Sequence, residues 1–215
     1  MKVLTLIAVL FMMMLVPATA SAEEFTQEDA RDMAFGQLDE EKQKAVLAML
    51  QKMLDTGLEE AEELIREEGS FVPFAYVMNP QGEGQFLRLS DDQEMRAEVA
   101  AHAVQRAIVT NAFQGNLVAS SVFLTMEAPR DGMEELEGDL EEELGDDREL
   151  DDVRFLMVEQ QHLGGLGLVS AVPYWQDGGE WHFGEPQQQQ VDPELHNVVQ
   201  RTFQEAAEEQ GEVQE

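Results

Sequence analysis

Few residues in this chain have the types and spacing needed for acid–base or nucleophilic catalysis. Glu159 and His162 could form a carboxylate–imidazole pair across a turn, as a general base requires. The chain has no cysteine, and no G-x-S-x-G pattern presents a serine nucleophile. The histidines show neither H-x-x-x-H nor H-E-x-x-H spacing, so no zinc site is indicated. We therefore expect that the protein uses no cofactor and is not an enzyme. A hydrolase-like activity of Glu159 and His162 is the last alternative.

An acidic stretch, residues 130–152, offers a different chemistry, the binding of a hard cation. It holds thirteen acidic residues and two arginines. Calcium takes about six to eight oxygen ligands, and the candidate ligands here are Asp139, Glu142, Asp146 and Asp147. The EF-hand order of alternating acids around a glycine is missing, and dense carboxylates are also typical of a solvated loop. The segment therefore has three interpretations. It is a calcium site, a loop that presents acids to a basic protein, or a solvated loop.

Two apolar, strand-like stretches each carry a proline, in the triplets Val72-Pro73-Phe74 and Val172-Pro173-Tyr174. Proline donates no ladder hydrogen bond, so each is expected at a strand start, a bulge or a sheet edge. The aromatic residues around the prolines have two interpretations. They fill the core between sheet and helices, or they line a groove where a peptide or small ligand docks. In the second case the binding residues are Phe71, Phe74, Tyr76, Tyr174 and Trp175.

The same stretches resemble a group of small bacterial α+β proteins. The pattern of that group is a G-x-[FY]-x-P-F-[AG] strand, an E-x-x-H turn region and a P-Y strand, and the likeness covers roughly residues 58–186. The matching positions are Gly69, Phe71, Pro73, Phe74, Ala75, Glu159, His162, Pro173 and Tyr174. The acidic stretch and the N-terminal apolar segment are not features of the group. The resemblance implies a fold, and it implies no activity because none is established for the group.

The first half of the chain predicts two helices and a hairpin. Residues 38–68 carry apolar side chains at spacings of three and four, which indicates a helix with one buried stripe. Gly57 could divide this helix in two, and Gly69 is expected to end it, since glycine readily takes the left-handed conformation. Strands at 71–78 and 83–89 follow, joined by the N-P-Q-G turn. Ser90 is expected to cap a second helix that runs to about Phe113.

The second half predicts strands at 116–129, 153–162, 166–175 and 180–184. The glutamine run 187–190 is interpreted as a spacer before a last helix, from residue 193 to about 209. This order predicts an α+β fold with an antiparallel sheet of about five or six strands packed by two or three helices in a single domain. The domain spans 38–209 with the acidic insertion 130–152. A polar arm, 23–37, precedes it and an acidic tail, 210–215, follows it.

Residues 1–22 have the pattern of a secretory signal peptide. Lys2 gives a positive start, residues 3–16 are apolar, and Ala20-Ser21-Ala22 matches the small-x-small cleavage pattern. The apolar run is shorter than the roughly 20 residues that span a bilayer, which favours cleavage before Glu23 over a membrane anchor. We expect an exported protein, periplasmic or secreted, with no stable membrane anchor after cleavage.

The charge of the chain argues against several partners. Removal of residues 1–22 leaves 12 basic and 45 acidic residues, a formal charge of −33. This charge repels nucleic acid and anionic lipid, and adaptation to salt would explain it because salt screens the self-repulsion. The sequence predicts an exported, non-catalytic protein that binds an unknown protein or small ligand. A calcium-binding protein that uses the acidic insertion is the alternative.

Overall fold

The computed structural model describes residues 35–89, 96–127, 153–195 and 197. The expected signal peptide, the acidic insertion and the acidic tail lie outside these residues, so those expectations stay predictions. The described end of the polar arm, Phe35–Gln37, is a 3-10 turn, and the Phe35 N–H donates to Gly164 O. No helix within the described ranges is long and apolar enough to cross a membrane.

The centre of the fold is a curled antiparallel sheet. Six strands follow the order β2-β1-β3-β4-β5-β6, and a seventh, β7, also pairs with β5. Two helices pack on this sheet, which confirms the predicted α+β class and the single body. The strands are β1 (Phe74–Met78), β2 (Gly84–Leu87), β3 (Ala119–Glu127), β4 (Arg154–His162), β5 (Leu166–Asp177), β6 (Glu180–Phe183) and β7 (Gln187–Val191).

The first helix, α1 (Glu40–Glu68), is a single unbroken helix of 29 residues. Asp39 caps its start by accepting a hydrogen bond from Lys42 N at 2.9 Å. Gly69 ends it as predicted, with φ 78° and its N–H donating to Ile65 O. Gly57 does not divide the helix. It is buried against the sheet instead, at the point where the Phe123 ring meets the helix backbone.

The second helix, α2 (Ala97–Phe113), starts later than the sequence predicts. Arg96 occupies its N-cap position, and Ser90, the expected cap, lies outside the described residues. The polar segment before Ala97 carries acidic residues that suit a first helical turn, and this made the predicted start too early. The predicted end near Phe113 is confirmed.

Both helices pack on the part of the sheet formed by β1 and β3. Phe74 of β1 lies in a core cluster with Leu54 of α1. The next residue, Ala75, points to the opposite face of β1. It lies in a second cluster, which joins Leu50 of α1 with Val104 of α2. Both β1 residues are buried, so the strand is enclosed on its two faces.

The glutamine run was interpreted wrongly as a spacer, because it forms β7. The four glutamines and Val191 make up β7 and pair with residues 167–171 of β5, and Gln188 Nε2 donates to Ser170 Oγ at 3.1 Å. A helical turn follows, in which Asn197 N–H donates to Pro193 O. The remainder of the predicted last helix lies outside the described residues.

The two prolines of the V-P-aromatic triplets occupy different positions. Pro73 directly precedes β1, which is one of the predicted locations. Pro173 lies inside β5, opposite Phe155, where β5 passes from its β7 partner to its β6 partner. Pro173 O accepts from Gly184 N at 2.8 Å, so the proline nitrogen faces this same junction. Only one ladder donor at the end of the β5–β6 pairing is lost.

Candidate functional site

The aromatic residues considered as groove residues lie mainly in the core. Tyr76 and Trp175 are half-buried, whereas three others have 9%, 2% and 0% of their surface exposed: Phe71, Phe74 and Tyr174. The Phe74 ring stacks on the Phe123 ring with centroids 4.9 Å apart. Rings in such positions contact protein side chains and offer little surface to a ligand, so an accessible edge is left only at Tyr76 and Trp175.

These two half-buried rings do not share a surface. Through the strand register, Tyr76 lies in line with Leu168 of β5. Trp175 is seven residues further along β5, so it points to the opposite face. There it stacks on the exposed His182 ring, with centroids 5.9 Å apart. The structure therefore brings the five candidates together in no single groove.

The acid–base pair proposed as a last alternative is also separated. Glu159 and His162 both lie in β4, three residues apart, so their side chains point to opposite faces. Gln161 Nε2 donates to Glu159 Oε1 on one face. On the other face His162 is fully buried, and its Nδ1 accepts from Gly164 N at 2.9 Å. This geometry does not form the predicted pair.

The candidate calcium ligands lie outside the described residues, and these are Asp139, Glu142, Asp146 and Asp147. Within the described ranges no group of three or more histidine, aspartate or glutamate side chains is arranged to hold a metal ion. The calcium hypothesis thus stays a prediction from the sequence.

An open surface depression lies at the β1–β2 turn, and we call it the turn pocket; more than half of its lining residues are exposed. Its volume is about 560 Å³, and its lining comprises residues 79–81 and 83–85 of the turn with Asn111, Gly115 and Asn116 at the end of α2. The two parts are held together because Val118 N, just before β3, donates to Met78 O at 2.8 Å. The pocket therefore belongs to the first predicted hairpin, beside its proline-containing turn.

Asn79 fixes the shape of the turn side of the pocket. Its Oδ1 accepts from Gln81 N at 3.0 Å and from Glu83 N at 2.8 Å. Its Nδ2 donates to Glu83 Oε2 at 2.9 Å, and Gly82 takes a φ of 77° to close the reversal. The N-P-Q-G turn is therefore formed as predicted, and it holds the Glu83 carboxylate in a defined orientation.

On the helix side, Asn111 and Asn116 are oriented by their own donors. Asn111 Nδ2 donates to Ala107 O at 2.8 Å, and Asn116 Nδ2 donates to Gln114 Oε1 at 3.0 Å. One N–H of each amide is thereby engaged, while the amide oxygens are not among the acceptors of the described hydrogen bonds. Glu83 is the single ionisable residue of the lining.

Tyr76 flanks the turn pocket without lining it. A Cβ atom at Gly84 would lie 2.0 Å from Tyr76 Oη, so the absence of a side chain at Gly84 lets the tyrosine lie across β2. The centroids of the Tyr76 and Phe86 rings lie 4.8 Å apart. Glycine at position 84 is therefore required by the packing of one of the predicted binding residues.

The turn is predicted from the sequence, but the pocket is not. Asn111 and Asn116 are about thirty residues from the turn, and single amide residues at a helix end carry no motif. Only the pairing of β1 with both β2 and β3 places them beside the turn. The one available signal was the contrast between this amide-rich segment and the acidic remainder of the chain.

No protein-family model, curated protein or solved structure matches this chain. The resemblance to small bacterial α+β proteins therefore stays a prediction.

Proposed function

We propose that this chain is an exported, non-catalytic protein that binds a small polar ligand in the turn pocket. The observation that carries the proposal is the pocket itself, an open surface depression of about 560 Å³ lined by five amide side chains and one carboxylate. It lies on the proline- and aromatic-containing hairpin for which the sequence predicts ligand contacts. The acidic exterior serves solubility in salt.

The chemistry of the lining favours binding over catalysis. Amide side chains donate and accept hydrogen bonds, but they do not ionise near neutral pH and so do not serve as general acids or bases. The described hydrogen bonds hold the Asn79, Asn111 and Asn116 side chains in place before any ligand arrives. Such preorganisation reduces the entropy lost on binding. A site of this kind recognises a molecule by hydrogen-bond pattern and shape.

The test is a ligand titration followed by NMR of the side-chain amides. The probes are a neutral disaccharide (maltose), a diamine (putrescine) and a dicarboxylate (succinate), each added to the full chain at matched ionic strength. We expect at least one probe to shift the resonances of Asn111, Asn116 and Gln85 in a saturable manner. If all three leave these resonances unchanged, the proposed function is contradicted.

A matched pair of variants separates the pocket from the rest of the surface. Gln85→Ala removes a lining amide, whereas Gln189→Ala removes an exposed glutamine of β7 outside the pocket. We expect the first substitution to weaken binding and the second to leave it unchanged. Equal effects of the two would assign the signal to general surface association.

Export has its own test. Expression of the full chain in a bacterial host, followed by mass spectrometry of the protein outside the cytoplasm, should give a mature chain that begins at Glu23. A protein retained in the cytoplasm with residues 1–22 intact would contradict export.

A further inference from the structure

We infer that the ligand of the turn pocket is an organic cation that carries N–H donors, such as a primary amine or a diamine. The inference rests on the proposed function, because it names the chemical class that this pocket selects. It comes from the charge of Glu83, the single ionisable residue of the lining, and from the oxygens that remain available with it once the described bonds are formed.

The oriented groups of the pocket include three available oxygens. Asn111 and Asn116 each use one amide N–H in a bond to their own segment, which leaves Oδ1 available. Asn79 Oδ1 already accepts two backbone N–H groups, and Asn79 Nδ2 donates one N–H to Glu83 Oε2, so Glu83 Oε1 is also available. Each of the three asparagine amides keeps one neutral N–H as well. The preference for a cation with N–H donors therefore comes from the charged Glu83 oxygen, with the two asparagine oxygens as further acceptors.

The electrostatics act in the same direction. Glu83 adds a negative charge to the pocket, and the lining contains no lysine or arginine. The whole chain carries 45 acidic and 13 basic residues, so its field attracts cations and repels carboxylates and phosphates. Hydrogen bonds from an ammonium group to a carboxylate are also stronger than those between neutral groups.

A chain of this charge attracts any cation, so the test must separate hydrogen bonding from general attraction. Putrescine is compared with the same diamine methylated at both nitrogens until no N–H remains. The two molecules have equal charge and similar length, and they differ in donors. Both are titrated against the full chain in high salt, which screens the non-specific attraction. The readout is the shift of the Asn111 and Asn116 side-chain amides.

We expect putrescine to saturate the pocket resonances with a dissociation constant at least about tenfold lower than that of its methylated analogue. Equal dissociation constants for the two diamines would overturn the inference. Saturation by maltose without saturation by putrescine would also overturn it, while the proposed small-ligand function would stand. Failure of every probe would remove both.

An isosteric pair of variants gives a second readout. Glu83→Gln removes the charge of the pocket and keeps an oxygen that can accept from Asn79. Glu63→Gln removes one charge from the exposed surface of α1. We expect the first to weaken putrescine binding about tenfold or more and the second to change it less than about twofold. Equal losses would mean that net charge, not the pocket, determines binding.

Discussion

Gly57 is the residue at which α1 comes closest to the sheet. A Cβ atom there would lie 1.9 Å from Phe123 Cζ and 2.3 Å and 2.7 Å from two further ring atoms. Phe123 is itself fully buried and stacked on Phe74, so the ring has little room to move. Glycine in the middle of a 29-residue helix is therefore explained by contact with the ring.

Gly57→Ala should lower the free energy of unfolding. Alanine favours the helix by about 1 kcal/mol over glycine, but overpacking of a filled core costs about 1–3 kcal/mol. Urea denaturation of Gly57→Ala, Phe123→Leu and the double variant measures the coupling between the two positions. Since leucine frees the space that the ring occupies, the double variant should lose less stability than the sum of the single losses. Additive losses would contradict the steric explanation.

The buried Tyr174 is expected to make the free energy of unfolding fall at alkaline pH. Its side chain is fully buried, and burial raises the pKa of its hydroxyl, while the nearby Arg154 and Thr125 oppose that rise only in part. The folded state therefore holds the proton more tightly than the unfolded state, in which the pKa is about 10. This contribution is complete below about pH 10 and is lost as the pH rises towards the folded pKa.

The check is the unfolding free energy of the native chain and of Tyr174→Phe as a function of pH. Near neutral pH the two should be similar, because Tyr174 Oη has no hydrogen bond of ordinary geometry to the described residues. Above about pH 10 the native chain should lose stability faster than Tyr174→Phe. Parallel curves across that range would show that Tyr174 does not contribute to the alkaline loss.

At the scale of elements, two arginines cover the core beside the terminal strands of the sheet. Arg88, which follows β2, pairs with Glu60 of α1 at 2.6 Å, and its guanidinium lies 4.9 Å from the Phe86 ring centroid. Arg66 of α1 lies 4.8 Å from the Phe183 ring centroid of β6. Two of the thirteen basic residues of the chain thus lie where α1 meets the first and the last strand of the six-strand order.

Arg88→Lys should lower the free energy of unfolding by about 0.5–1 kcal/mol, because lysine keeps the charge but loses the planar stacking on the rings. The matched control is Arg106→Lys, which makes the same exchange at an exposed position of α2. Both are measured by urea denaturation. An equal effect of the two substitutions would mean that the contact between Arg88 and Phe86 contributes nothing measurable.

Elements with a strong apolar pattern were predicted from the sequence, and elements defined by a partner strand were not. The apolar stripe of α1 and the apolar runs of β1 and β5 predict the fold class, because buried helices and strands carry such patterns. β7 has no such pattern, since glutamines form a strand here only through pairing with β5. The turn pocket was missed for the same reason, because Asn111 and Asn116 meet the turn through the order of three strands.

At the scale of the whole molecule, the strong negative charge is read directly from the sequence. The described fold gives no structural reason for it. The acidic insertion 130–152, with its candidate ligands, lies outside the described residues. The described core is held by apolar clusters on both sheet faces, and it includes no metal cluster among the described side chains. Thermal unfolding therefore has to show whether the insertion affects stability.

We expect salt to stabilise residues 23–215, the mature chain if the predicted cleavage occurs, through general screening of their formal charge of −33. Thermal unfolding is measured in sodium chloride, magnesium chloride and calcium chloride at equal ionic strength. Magnesium carries the charge of calcium but demands a smaller, octahedral site, so it controls for divalent screening.

Similar increases of Tm with the two divalent salts would indicate screening, and the insertion would then serve solvation. A larger increase with calcium would require a specific site that stabilises the folded state by mass action. Substitution of Asp139, Glu142, Asp146 and Asp147 by their amides should then abolish the excess, and the insertion would join the turn pocket as a second binding site.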